Sequence, residues 1–252
     1  MALPNGTQRF SDRVDDYVRY RPTYPAALID ALMTKLDLER GKSIADLGSG
    51  TGISARLFIE RGVNVFAVEP NEKMRRAAEK ELAGASELHS VAGTAEATTL
   101  ADHSVDAVVA FQAFHWFDHA RARVEIARVV REPGPVALVW NERLVDTPFV
   151  RAYEELLHRL SPDYANVEHR NAYPSIDAFF APTKPELVVM KSEQILNRDG
   201  LFGRAFSSSY VPKEGPAHEA FRAELGTLFD AHAMSGEVFF RYDTKAYIGR
   251  IG

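Results

Sequence analysis

The feature that most constrains this chain is the run "IADLGSGTGIS" over residues 44–54, in which glycines alternate with hydroxyl residues after a short apolar stretch. Glycine tolerates positive φ and lets a ligand approach the main chain, so this pattern is typical of a buried strand that turns sharply into a helix. Ser49 or Thr51 is expected to cap that helix. With the apolar residues 63–68, the run predicts a βαβ unit of roughly 30 residues.

An acid stands at the tip of the second predicted strand, where Glu69 is followed by Pro70. An acid at this place accepts hydrogen bonds from the ribose of an adenosine-containing ligand. A dinucleotide loop, G-x-G-x-x-G, would need its third glycine where Ile53 stands, so the run favours a ligand without a pyrophosphate. Asp46, just before the glycines, can meet a positive or hydrogen-donating group of that ligand. An NAD(P)-dependent oxidoreductase and a purely structural glycine turn remain the alternatives.

Strands and helices alternate along the chain as a doubly wound α/β sheet requires. Strands are predicted over residues 88–91, 105–111 and 134–140, and helices over about 119–130 and over about 71–82, where Asn71 can cap the start. A helix is also predicted after Pro25, with an apolar face formed by Leu28, Ile29, Leu32 and Leu36. Further helices near 149–160 and 216–232 surround a strand over 186–196, and an alternating segment over 237–251 predicts a last, antiparallel strand. Loops at the carboxyl ends of the parallel strands gather at one edge and are expected to form the site.

Length, charge and composition narrow the class of protein. The 252 residues suffice for one α/β core with extra elements. The net charge of −5 without a basic stripe argues against a dedicated nucleic-acid binder. Cysteine is absent, which excludes disulfides and thiolate metal sites but leaves the redox compartment undetermined. No stretch is long and apolar enough for a membrane span, so no membrane partner and a cytoplasmic location are expected. The histidines form no metal-ligand set, so no metal is predicted.

The D-x-G-x-G-x-G loop followed by Glu69 resembles the first motif of the S-adenosylmethionine (SAM) dependent methyltransferases of the Rossmann-like class. That resemblance implies SAM as cofactor and a seven-stranded, mostly parallel sheet with helices on both faces and an antiparallel last strand. Residues 93–118, "GTAEATTLADHSVDAVVAFQAFHWFD", resemble the family's adenine-binding G-D-A-E segment, with Thr94 in place of Asp. The implied cofactor-binding residues are Asp46, Gly48, Ser49, Gly50, Gly52, Glu69, Pro70, Met74, Thr94, Ala95, Glu96, Phe111 and Gln112.

The stretch "YVRYRPTYP" over residues 17–25, with "FHWF" and "SSSYVP" further on, is similar to a small-molecule branch that includes trans-aconitate methyltransferase. The resemblance implies a single domain in which a cap (1–38) and an insertion with closing strands (146–252) cover a SAM-binding core (39–145). Aromatic residues that merely pack a helix start are the alternative explanation. The implied substrate-binding residues are Tyr17, Tyr20, Arg21, His115, Trp116, Asn141 and Arg143.

Two mechanisms for a small-molecule acceptor follow from these residues. His115 is the one candidate catalytic base, needed when a hydroxyl nucleophile must lose its proton. A carboxylate acceptor needs no base, and Arg21 or Arg143 would then hold the anion through two parallel hydrogen bonds. His115 is equally compatible with a packing or orienting role. Because methyl transfer has no obligatory catalytic residue, a non-catalytic SAM-binding interaction protein is a further alternative.

Overall fold

The computed structural model describes residues 14–131, 134–165 and 173–251. Within these ranges no helix combines the length and apolar character that crossing a membrane requires. The α-helices are α1 Val14–Tyr20, α2 Ala26–Lys35, α3 Ile53–Ile59, α4 Glu72–Glu81, α5 His119–Val129, α6 Pro148–Leu160, α7 Tyr173–Phe180, α8 Arg198–Phe206 and α9 Gly215–His232. The strands are β1 Ser43–Leu47, β2 Asn64–Val68, β3 Leu88–Val91, β4 Ala107–Phe111, β5 Gly134–Arg143, β6 Glu186–Leu196 and β7 Val238–Ile251.

The strands form one seven-stranded sheet in the order β3-β2-β1-β4-β5-β7-β6. The five strands from β3 to β5 run parallel, and β7 is antiparallel to both β5 and β6. This confirms the predicted doubly wound sheet with an antiparallel last strand. The strand order reverses between β1 and β4, which is where α/β sheets of this kind open a crevice for ligands.

Helices cover both faces of the sheet because the strand side chains alternate between two apolar layers. Ile44 and Val109 belong to the layer that includes α2 and α3, whereas Ala45 and Val108 belong to the layer that includes α5 and α7. The predicted apolar face of α2 is buried in the first layer, and its members are Leu28, Ile29, Leu32 and Leu36. Helices thus cover both faces of the sheet, whereas the edge formed by the carboxyl ends of the parallel strands is not part of these two apolar layers.

A third apolar cluster joins α6, α8 and α9 to the far ends of β6 and β7. Its interior holds large aromatic side chains, among them Tyr153, Phe221 and Phe240. The sequence patterns predicted α6 and α9, but they did not predict α8. We call the set α6, α8 and α9 the upper layer. The predicted division of the chain at residues 38 and 145 stays a prediction.

A buried ion pair fastens the end of β5 to the upper layer. The Arg143 guanidinium lies 2.9 Å from the Glu154 carboxylate of α6, and the two side chains are only 10% and 12% exposed. The Tyr164 hydroxyl donates to Glu154 and accepts a hydrogen bond from Arg143. Because both charges are largely removed from water, each depends on the other for its stability.

We expect Glu154→Gln to destabilise the protein by about 3–5 kcal/mol, because it leaves the buried Arg143 cation without its partner. Urea unfolding of both proteins measures this difference. The control is Glu186→Gln, which removes the partner of the more exposed Lys35 and should cost less than about 1 kcal/mol. Equal losses in the two variants would contradict the assignment of Arg143 and Glu154 as a stabilising buried pair.

Candidate active site

The glycine loop after β1 adopts the backbone that its sequence predicts. Gly48, Gly50 and Gly52 have φ angles of 68°, 56° and 82°, a region that residues with side chains rarely adopt. The predicted helix cap is wrong, however, because Gly52 itself occupies the N-cap of α3 and no side chain caps the helix. The hydroxyl groups of Ser49 and Thr51 are therefore not used to start α3.

The three glycines serve different purposes, as the space around each one shows. A Cβ at Gly48 would lie 2.7 Å from the Ala113 side chain, and one at Gly52 would lie 2.9 Å from Leu82. Both positions are therefore closely packed against the protein. A Cβ at Gly50 would meet only the end of Met74, at 3.7 Å. The main chain at Gly50 is therefore exposed to open space, next to Met74, which the sequence implicated in cofactor binding.

Glu69 connects the glycine loop to the start of α4. One of its carboxylate oxygens accepts from the Gly50 N–H at 2.9 Å, and the other accepts from the Asn71 N–H at 2.8 Å. Burial raises the pKa of Glu69, although these two hydrogen bonds oppose the shift. Each carboxylate oxygen has a second lone pair. The acid can therefore accept further hydrogen bonds, as a ribose diol would require, and the neighbouring Pro70 is exposed.

Two buried polar atoms at the loop lack a hydrogen-bond partner. Asp46 is fully buried and accepts from the Ser54 hydroxyl at 2.6 Å through one oxygen, while its other oxygen and the Thr51 hydroxyl have none. Burial raises the pKa of Asp46 to about 7 against the Ser54 hydrogen bond, and the Glu69 charge adds to the rise. Unpaired buried polar atoms are rare because they are costly. Together with the bare Gly50, they fit a ligand such as SAM.

The segment implicated in adenine binding forms a tight turn. Thr94 and Ala97 exchange two backbone hydrogen bonds, and Ala95 between them is buried. The Glu96 carboxylate accepts from the Asp118 N–H at 2.8 Å, which ties this turn to the start of α5. One oxygen of Glu96 is thus engaged within the protein. The roles of Thr94, Ala95 and Glu96 toward an adenine stay predictions.

A partly open cavity of about 40 Å³ lies where residues 17–24, which we call the N-terminal segment, meet the sheet edge and the upper layer. It brings together four residues that the sequence implicated, namely Tyr17, Arg21, Gln112 and Asn141. The lining also includes Pro22, Tyr24, Ile53, Arg204 and Tyr242. Ile53 directly follows the glycine loop, so the cavity adjoins the loop. Phe111, at the end of β4, packs against the Tyr24 ring beneath it.

Gln112 has an unusual backbone for this position. Its φ is 54°, although it is not a glycine, and its side chain donates to the Asn141 carbonyl at 3.1 Å. Non-glycine residues in this region are strained and concentrate at functional sites. Asn141 in turn donates to the Thr23 carbonyl at 3.1 Å and accepts from the Thr244 hydroxyl. Asn141 of β5, which Gln112 contacts, therefore holds the N-terminal segment at Thr23.

Three further contacts hold that segment over the cavity. The Gln194 side chain donates to the Tyr20 carbonyl at 2.8 Å, and Arg21 donates to the Ser207 carbonyl at 3.1 Å. The Tyr20 ring lies directly against Gly203 of α8, where a Cβ would approach it to 2.1 Å. Tyr20 therefore docks α1 onto the upper layer, and it does not line the cavity.

The other implicated residues lie outside the cavity lining. His115 and Trp116 form a short 3₁₀ turn after β4, with their half-buried rings 4.9 Å apart. The Arg143 guanidinium is paired with Glu154. Sequence reasoning missed Arg204 and Tyr242, because α8 was not predicted and β7 showed only its strand alternation. The roles of all these residues stay predictions.

Comparison with known proteins gives a consistent family. A family model described as a methyltransferase domain matches residues 45–138. A relative from Mycobacterium tuberculosis, named an uncharacterized methyltransferase, is 40% identical over 150 residues, which are 60% of this chain and 59% of the relative. The alignment thus spans less than two thirds of that relative's length.

Solved structures share the fold. A candidate type II methyltransferase from Anaeromyxobacter dehalogenans is 25% identical, with a TM-score of 0.71 over 92% of this chain and 98% of that one. The geranyl diphosphate C-methyltransferase of Streptomyces coelicolor, solved with S-adenosyl-L-homocysteine, has a TM-score of 0.51 at 16% identity over 99% of this chain and 83% of that one. At that identity the likeness shows the fold alone. Residues 45–138 thus match a methyltransferase domain, and the sheet around them has the fold of the solved methyltransferases to which the chain is similar.

Proposed function

We propose that this chain transfers the methyl group of SAM to a carboxylate or hydroxyl oxygen of a small molecule. The observation that carries this proposal is the cavity beside the glycine loop, whose lining includes Tyr17, Arg21, Gln112 and Asn141. Its walls come from the sheet edge, the N-terminal segment and the upper layer together. Such a volume admits a compact group.

The cofactor side of the site can be assigned to particular residues. The bare main chain at Gly50 would let SAM lie close to the loop, and Glu69 would accept from its ribose hydroxyls. The unpaired oxygen of Asp46 would accept from a positive or hydrogen-donating group of the cofactor. When bound, SAM supplies a methyl carbon that the adjoining sulfonium already activates.

The acceptor side of the site has mainly to position a nucleophile. Because the electrophile is activated in advance, holding the acceptor oxygen in line with the methyl carbon supplies a large part of the acceleration. The N-terminal segment, held by Asn141, Gln194 and Ser207, would exclude water during that step. A hydroxyl acceptor would also require a base, and a carboxylate acceptor would not.

We expect SAM and S-adenosyl-L-homocysteine to stabilise the protein and NAD to leave it unchanged, because the loop lacks the third glycine of a dinucleotide site. A ligand at about 100 times its dissociation constant adds roughly 2.7 kcal/mol of stability. Thermal unfolding with each ligand measures this. Equal stabilisation by NAD would contradict the SAM assignment, and no response to SAM would contradict the proposed function.

Two glycine variants make this experiment specific to the loop. Gly50 and Gly84 both have positive φ and no close neighbour, but Gly84 lies in the turn after α4, away from the cavity lining. Alanine at either position should cost similar stability through backbone strain. Only Gly50→Ala should also weaken SAM binding, which calorimetry at a temperature where both variants are folded can measure. Equal SAM affinity in the two variants would place the cofactor elsewhere.

We expect Asp46→Asn to become more stable relative to the wild type as the pH rises from about 4 to 7. The unfolded carboxyl group has a pKa near 3.9 and the folded one a pKa of about 7. Between these values the unfolded state ionises while the folded state stays protonated, so the wild type loses folding free energy that the asparagine variant keeps. Urea unfolding at several pH values measures the difference, and a flat difference would contradict the raised pKa.

At pH 8 the Asp46→Asn variant should bind SAM about tenfold or more weakly, because it lacks a charged acceptor.

We expect His115→Asn to lower turnover by less than about tenfold and to leave the pH profile unchanged, because His115 does not line the cavity. Steady-state kinetics with a verified acceptor measures this. A loss of about 100-fold or more, together with loss of an inflection near neutral pH, would instead assign His115 as the base for a hydroxyl acceptor.

A further inference from the structure

Two arginines from distant parts of the chain line the same cavity. Arg21 follows α1, and Arg204 lies on α8 with a side chain that is almost completely buried. Arg21 donates to the Ser207 carbonyl, and Arg204 donates to the Ser208 hydroxyl at 3.2 Å. The Nε atom of each guanidinium is buried without a hydrogen-bond partner. Both groups therefore retain donors that the protein does not use.

Neither of these cations has a carboxylate partner among the described residues. The nearby Arg143 shows the contrast, since it is paired with Glu154 in the same part of the molecule. Buried charges are normally paired, because removing an ion from water is costly. Arg21 and Arg204 also repel each other, and together with burial this repulsion lowers the pKa of Arg21. The cavity wall thus carries two guanidinium groups that no carboxylate of the described residues neutralises.

These positive charges lower the pKa of one neighbouring tyrosine, Tyr210. Burial raises the pKa of Tyr210, but the charges of Arg143, Arg204 and Arg21 outweigh it and leave the pKa below its usual value. The Tyr17 ring lies 4.6 Å from the Arg21 guanidinium in a cation–π contact. Such a contact offsets only part of the cost of burying a guanidinium. Packing alone therefore does not account for two buried arginines at one cavity.

We propose that Arg21 and Arg204 form a binding subsite for an oxyanion of the acceptor, so that the substrates of this chain carry a carboxylate or phosphate group. This inference rests on the proposed methyl transfer, because it assumes that the cavity holds the acceptor. Guanidinium groups in a water-poor site bind oxyanions through paired, charge-assisted hydrogen bonds. An oxyanion would use the free donors and neutralise the charge in one step.

The position of the subsite suits a substrate anchor. Ile53 and Gln112 line the same cavity from the side of the glycine loop, while Arg21 and Arg204 line it from the N-terminal segment and the upper layer. An acceptor held by the arginines would therefore be held next to the cofactor loop. The same contact would bridge the two elements that enclose the cavity.

The test measures binding of sodium succinate and of sodium phosphate by thermal unfolding and calorimetry, with sodium chloride at equal ionic strength as reference. The proteins are the wild type, Arg204→Met, Arg204→Lys and Arg198→Met. Arg198 is the matched control because it lies on the same helix, is exposed and is paired with Asp230. We expect saturable binding of at least one anion to the wild type and to Arg198→Met. Affinity should fall at least tenfold in Arg204→Met and at least threefold in Arg204→Lys, which keeps the charge but loses the planar fork.

Three results would overturn the inference: no saturable anion binding by the wild type, unchanged affinity in Arg204→Met, or an equal loss in Arg198→Met. If Arg204→Met does not fold, the affinity of Arg204→Lys decides by the same criterion. Binding of SAM, measured on the same samples, should stay within about threefold of the wild type. A protein that binds anions but not SAM would contradict the proposed function, whereas one that binds SAM but no anion would contradict only the subsite.

Preference for succinate or for phosphate then selects the substrate class. A screen for methyl transfer from labelled SAM compares carboxylic acids and phosphate esters with their uncharged amides and triesters. We expect methylation only of charged acceptors, with a KM that rises at least tenfold in Arg204→Met. Efficient methylation of an uncharged acceptor, unaffected by Arg204→Met, would contradict the role of this arginine pair.

Discussion

The glycine-loop half of the candidate site depends on Glu69, which joins three pieces of chain. The Glu69 carboxylate accepts from the Gly50 N–H in the loop and from the Asn71 N–H at the start of α4. Arg75 of α4 donates to the backbone carbonyl of Glu69. Asn71 then caps α4 by accepting from two further backbone N–H groups. One acid thus fixes the loop that leaves the main chain bare and the strand tip that would face a ribose.

Near the cavity, three buried arginines differ in whether a carboxylate is their partner. Arg143 has an internal partner in Glu154, so it links β5 to α6. Within the described ranges Arg21 and Arg204 have no such partner, although they lie among the same tyrosines. A protein interior tolerates an uncompensated charge only at a cost in stability. We interpret the stability cost of burying Arg21 and Arg204 as a requirement of oxyanion binding. The contrast with the paired Arg143 supports this interpretation.

Local patterns were sufficient for the parts of the fold that depend on neighbours in sequence. The apolar spacing of α2, the cap at Asn71 and the bounds of β3 and β6 all match the prediction. The helix cap at α3 was wrong, because close packing of Gly52 against Leu82 and Ala78, which no local pattern encodes, makes the glycine itself the cap. The helix α8, "RDGLFGRAF", contains two glycines and went unpredicted. Arg21 contacts Ser207 across 186 residues, so sequence reasoning could not find the arginine pair.

The docking of the N-terminal segment has a consequence for how ligands are exchanged. Three hydrogen bonds hold residues 20–23 to Gln194, Ser207 and Asn141. At a net value of about 1 kcal/mol each, breaking all of them leaves an open state populated at roughly 1% or less. A ligand that can enter only through that state binds with an apparent affinity reduced by the same fraction. The measured affinity for an acceptor would then report the closing of residues 20–23 as much as the contacts inside the cavity.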